Sequence, residues 1–194
     1  MKRTIPVVAL LAFALTVRSQ GTFLYDQQSY PFPIQPDVLL DIQPSVPMGQ
    51  SFIPSLSSVG FVQLELFDGH PNNGLSATLY VSLRSGSITG AVLSSSSPVF
   101  MPETPSGGGV TNFFFSPQIA VTPGTTYFFE VVVQSGDLWR VNATTDVYPR
   151  GTSYLQGNAQ PVFDLWFRRH HRSRAFDHGP PHLSGSFVLC SVEK

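Results

Sequence analysis

The sequence predicts an all-β chain folded as a two-layer antiparallel β-sandwich of jelly-roll-like form. Three observations carry that prediction. Apolar and polar residues alternate with period two in several segments, while the helical period of 3.6 is scarcely seen. Clusters of Gly, Asn and Pro punctuate those segments at roughly ten-residue spacing, as in sandwich folds. Charged residues form only 12% of the 194 residues and Phe occurs 16 times, a composition suited to short strands around one core.

Taken in order, a first strand is expected near residues 23–26, followed by an extended connection through the five prolines of 31–47. A strand at 50–53 precedes "FVQLELF", where Val62, Leu64 and Leu66 share one face and Gln63 and Glu65 the other. "ATLYVSLR" repeats the device, with Ala77, Leu79, Val81 and Leu83 inward and Thr78, Tyr80, Ser82 and Arg84 outward. Short strands are expected at 91–94, 99–101, 113–115 and 118–121. "TTYFFEVVVQ" is apolar on both faces, the mark of a central strand covered on both sides, with Phe129, Val131 and Val133 inward. Strands at 138–143 and 162–167 complete eight to ten beyond that first strand. Pro123-Gly124 signals a type II turn, and Tyr127 is placed to return its hydroxyl to that corner.

The formal charge of −1 divides into +3 over residues 1–20, −7 over 21–167 and +3 over 168–194. An acidic body excludes nucleic acid as a partner, because phosphate binding needs a clustered basic face. Lys2 and Arg3, the apolar residues 5–17 and a polar boundary read as a signal peptide over 1–19, cleaved between Ser19 and Gln20. Thirteen apolar residues reach only about 20 Å as a helix, short of a ~30 Å hydrocarbon core, so the mature chain is expected to have no membrane span. Its expected place is secreted, periplasmic or extracellular. Cys190 is the single cysteine, so no intrachain disulfide forms.

The chain carries no nucleophile elbow, phosphate loop, paired-histidine zinc helix or dinucleotide fingerprint, and it is read as a non-enzyme. Glu65 and Glu130 alternate outward and are expected to be solvated. "FDGHPNNG" offers Asp68, Asn72 and Asn73 as a hard-oxygen set for calcium, set against a turn in which Asp and Asn bond their own backbone. No other cofactor is expected. Trp139 and Tyr148 are candidate platforms for stacking sugar rings, whereas Trp166 is expected to close the core. Asn142-Ala143-Thr144 matches a glycosylation acceptor of a length that arises by chance.

"GTFLYDQQS", the run from "GQSFIPSLSSVGFVQLELF" to "SSSSPVF", "VTPGTTYFFEVVVQSGD" and "DLWFR" together resemble the exported β-sandwich domain of bacterial PEP-CTERM proteins. The resemblance covers residues 21–167. It implies an exported, non-enzymatic protein of the envelope or extracellular matrix, sorted at the membrane in bacteria that make extracellular polysaccharide. A secreted carbohydrate-binding module is the alternative, with polysaccharide the expected partner in either case.

Such proteins end in Val-Pro-Glu-Pro, an apolar span and a few basic residues, all absent here in frame. Instead residues 168–182 hold four arginines and four histidines, which sets a domain boundary after Phe167 and a disordered tail over 168–194. A one-base frameshift accounts for the change of composition. Codons exist for residues 170–183 which, read one base later, give Ile-Ile-Val-Pro-Glu-Pro-Ser-Thr-Met-Ala-Leu-Leu-Ile.

Overall fold

Two antiparallel sheets pack face to face in the computed structural model, which describes residues 23–29, 38–104, 108–145 and 147–172. The expected signal peptide with Ser19 and Gln20, and the residues from 173 onward with Cys190, lie outside the described residues. The first sheet holds β1 (Phe23–Ser29), β2 (Val38–Asp41), β4 (Ser58–Asp68), β8 (Gly108–Ala120), β10 (Trp139–Thr145), β13 (Phe163–Leu165) and β14 (Phe167–Arg172). The second holds β3 (Met48–Phe52), β5 (Ala77–Ser85), β6 (Val92–Ser95), β7 (Val99–Met101), β9 (Tyr127–Gly136), β11 (Ser153–Leu155) and β12 (Asn158–Gln160). The long strands β3, β4, β5, β8, β9 and β10 alternate between the sheets. Each therefore delivers one apolar face to a shared interior.

That interior follows the alternation. Val62, Leu64, Leu66, Leu79, Val81, Leu83, Phe129 and Val131 are fully buried, and Val133 packs against them half-buried. Close approach has its own requirement at Gly49 on β3, where any Cβ would lie 1.9 Å from the Phe129 carbonyl oxygen of β9. At the far end the Thr122–Thr125 turn is closed by the Thr125 amide on the Thr122 carbonyl (3.2 Å), with Gly124 at φ +80°. The Tyr127 hydroxyl accepts the Thr122 amide at 3.0 Å, as expected for a tyrosine corner. Tyr127→Phe is expected to lower stability by about 1 kcal/mol, read from the urea midpoint at unchanged slope.

The structure corrects several expectations. Three further strands appear among the described residues: β2 inside the proline-rich connection, and the β11–β12 hairpin. The segments expected at 113–115 and 118–121 are one strand, β8, whose register with β4 slips between Val59 and Phe61. Pro117 falls in that slip, where its missing N–H removes no ladder bond. Glu130 is buried and paired to Arg84 (Nη2 2.6 Å, Nε 2.8 Å), because Arg84 also holds the Gly90 carbonyl and folds the following turn over the sheet.

The boundary after Phe167 also moves. β14 runs to Arg172, with Phe167–His170 paired to Leu64–Phe61 of β4 and its outer edge paired to β1. Ladder bonds are made by backbone, so an unusual run of side chains does not prevent them. Arg169 is wholly buried and ion-paired with Asp26.

Candidate functional site

The outward face of the first sheet gathers the features that suit a ligand. Because Val62, Leu64 and Leu66 of β4 face the core, Phe61, Gln63 and Glu65 face out. Register then sets their neighbours. Asn112 of β8, Gln63 of β4, Arg168 of β14 and Gln28 of β1 stand opposite one another on four adjacent strands. Three inter-strand steps make this polar row about 15 Å long. One pleat away, Phe114, Phe61, position 170 and Tyr25 form a second row across the same strands.

The polar row is partly self-bonded. Gln63 Nε2 donates to Asn112 Oδ1 at 2.8 Å, and the buried Gln63 Oε1 has no partner among the described residues. The Arg168 guanidinium lies between two rings, its carbon 5.3 Å from the Tyr25 centroid and 5.2 Å from that of Trp166. Trp166 sits where β10 and β14 part from β4. There its amide donates to the Asn142 carbonyl (2.8 Å), and Asn142 Nδ2 donates to Glu65 Oε2 (2.7 Å). Phe114 (47% exposed) and Tyr25 (49%) flank the strip, with the Phe61 and Phe114 rings tilted at 5.2 Å. Side-chain amides, a carboxylate and a guanidinium thus lie beside half-exposed aromatic rings. Such a surface can exchange hydrogen bonds with hydroxyls while stacking on C–H faces.

Trp139 and Tyr148, the expected sugar platforms, are both interior, which overturns that reading. Trp139 is 1% exposed, because it shares strand parity with the buried Val141 and Ala143. Tyr148 is buried edge-on against Phe167, its hydroxyl donating to Gln27 Oε1 (2.6 Å) and accepting the Ile53 amide (3.3 Å). Burial pushes its phenol above the usual range. Trp166 is buried too, yet on the face opposite Leu165 and Phe167. Asn142 of the sequon is 1% exposed inside β10, closed to modification in the folded chain.

The loop after β4 is tied by its own polar groups. Asp68 is buried and takes the His70 amide on Oδ1 (2.9 Å) and the Thr104 amide on Oδ2 (3.2 Å). Asn73 Nδ2 donates to Asp137 Oδ2 (2.6 Å), and Asn72 has φ +70°. Asp68 therefore serves backbone amides while Asn73 serves the β9–β10 turn, and the three calcium candidates are not brought to one point by these bonds. No group of three His, Cys, Asp or Glu among the described residues is arranged to hold a metal. Asp137 is held below the usual carboxylate range by hydrogen bonds from His70, the Leu138 amide and Asn73.

Residue-by-residue reading finds outward Gln63 and Glu65 but not the strip itself. Its members are brought together by pairing between strands far apart in sequence, and the one local signal is an outward strand position filled by an amide. No helix among the described residues is long and apolar enough to cross a membrane. No protein-family model, curated protein or solved structure matches the chain.

Proposed function

We propose that the chain is an exported, non-enzymatic β-sandwich protein of the bacterial envelope or extracellular matrix, PEP-CTERM-like in kind, that holds polysaccharide on the outer face of its first sheet. The observation that carries this reading is the row Asn112–Gln63–Arg168–Gln28 beside the exposed rings of Tyr25 and Phe114. A ~15 Å strip on rigid strands suits a short run of sugar units, and the mixture of amide donors and acceptors suits hydroxyls better than it suits a charged polymer. The sequence from residue 170 onward, where the shifted codons begin, is the sorting signal read out of frame, and sequencing the gene tests that part. Arg168 and Arg169 precede the first shifted codon, so the strip survives either outcome.

A glycan array followed by titration calorimetry tests the binding. Tyr25→Ala and Phe114→Ala are each expected to weaken binding by up to about ten-fold, the equivalent of ~1.4 kcal/mol for one lost ring contact. Variants that bind as well as the parent, or a parent that holds no glycan, would refute the reading.

A further inference from the structure

In the loop between β4 and β5, Asn73 is followed by Gly74, and both are exposed. Gly74 has φ +77° and open space where a Cβ would stand. Three hydrogen bonds converge on this dipeptide. The Gly74 amide donates to Glu103 Oε1 at 2.8 Å, Asn73 Oδ1 accepts the Leu75 amide at 2.8 Å, and Asn73 Nδ2 donates to Asp137 Oδ2 at 2.6 Å. A carboxylate thus sits on the proton of one backbone nitrogen, and an N–H sits on the neighbouring side-chain carbonyl oxygen. These are the placements of a general base and an oxyanion donor.

We propose that Asn73-Gly74 is a self-modifying site, at which the folded loop promotes loss of the Asn73 side-chain amide. The Gly74 nitrogen attacks Asn73 Cγ, and its proton passes to Glu103. The charge that develops on Oδ1 is met by the Leu75 amide. The Cγ–Nδ2 bond then breaks, Nδ2 takes a proton and ammonia leaves, giving a cyclic imide. Water opens that ring to aspartate or isoaspartate, so no oxidant or cofactor enters. Glycine suits position 74 because its φ of +77° is one that residues with a side chain rarely adopt.

The product is a switch in the loop's bonding. An amide that donates to Asp137 becomes a carboxylate beside Asp137 and Glu103, so attraction turns into like-charge repulsion. The β4–β5 loop thereby loses one of its ties to the β9–β10 turn, while those of His70 and Gly69 remain, and the change marks the age of each molecule.

Peptide mass spectrometry of the folded chain held at neutral pH, with isoaspartate-specific methylation, reads the reaction. Asn73 is expected to convert faster in the folded chain than in the same chain in urea, while Asn72, Asn112, Asn142 and Asn158 stay intact over that time. Glu103→Gln is expected to slow conversion by about 100-fold, the lower end of what a positioned base contributes. The folded-against-urea comparison uses the parent chain alone, so it stands even if the variant folds poorly. Conversion no faster when folded, or an unchanged rate in a folded Glu103→Gln chain, overturns the proposal.

Discussion

Arg169→Ala is expected to destabilise the sandwich by about 3–5 kcal/mol, because it leaves a buried carboxylate without its counter-charge. The side chains of Arg169 and Asp26 are 0% and 1% exposed. Asp26 points inward because β1 carries a bulge between Tyr25 and Gln27, which turns an extra residue toward the interior. Its carboxylate also accepts the Ser55 hydroxyl, the amides of Ser55 and Leu56, and Gln27 Nε2. The Arg169 guanidinium lies over the Phe52 ring at 5.0 Å, and its Nε and Nη1 have no hydrogen-bond partner among the described residues.

Burial alone would raise the Asp26 carboxyl, but the hydrogen bond from Ser55 and the Arg169 charge, with Gln27 and the Leu56 amide, bring it below the ordinary value. A carboxyl lowered by folding stabilises above its unfolded value, about 3.9, and loses that contribution as pH falls through the folded value. In Arg169→Ala the same carboxyl keeps its burial without the guanidinium. The gap between parent and variant is therefore expected to narrow in acid. Urea unfolding at pH 7 and near pH 3 measures both. Arg169→Met with Asp26→Leu should recover most of the loss, since an apolar pair of similar volume commonly replaces a buried ion pair without cost.

Phe129→Ala is expected to cost about 3–5 kcal/mol, a large fraction of the roughly 5–15 kcal/mol that holds a typical domain folded. Phe129 is fully buried in β9, its ring 6.4 Å from Phe52 in the same sheet and 5.3 Å from Phe167 in the opposite one. It bridges the layers where β3 and β14 meet the core. The backbone there cannot collapse into the space, because Gly49 already rests on the Phe129 carbonyl. Phe100→Ala supplies the control: Phe100 is 65% exposed, and its loss should stay within about 0.5 kcal/mol. A midpoint shift without a change of slope separates the two.

The core was legible where alternation was strict, as at Val62–Leu66 and Leu79–Leu83, since one buried face leaves a period-two trace in the chain. The tyrosine corner was legible for a similar reason: Pro123, Gly124 and Tyr127 are local to one turn. β2, β11 and β12 left no such trace. They are three or four residues long and take their places by pairing with neighbours already formed. Trp139 was misplaced because the turn before it was weighed above its parity with Val141. Arg168 and Arg169 were misread together, their charge taken as a sign of tail. In fact β4 needs a partner along residues 61–64, and strand position then sends one arginine outward to the aromatic strip and the other inward to Asp26.

The pairing of β1 with β14 also fixes when the molecule can finish folding. The Asp26–Arg169 bond spans 143 residues, and β14 is the strand that joins β1 to the rest of the first sheet. During synthesis the edge of β4 along residues 61–64 therefore stays open until nearly the whole body has emerged, and closing so long a loop is slow. A chain that cannot close early remains threadable. The last strand thus serves as the latch on the timing of the fold.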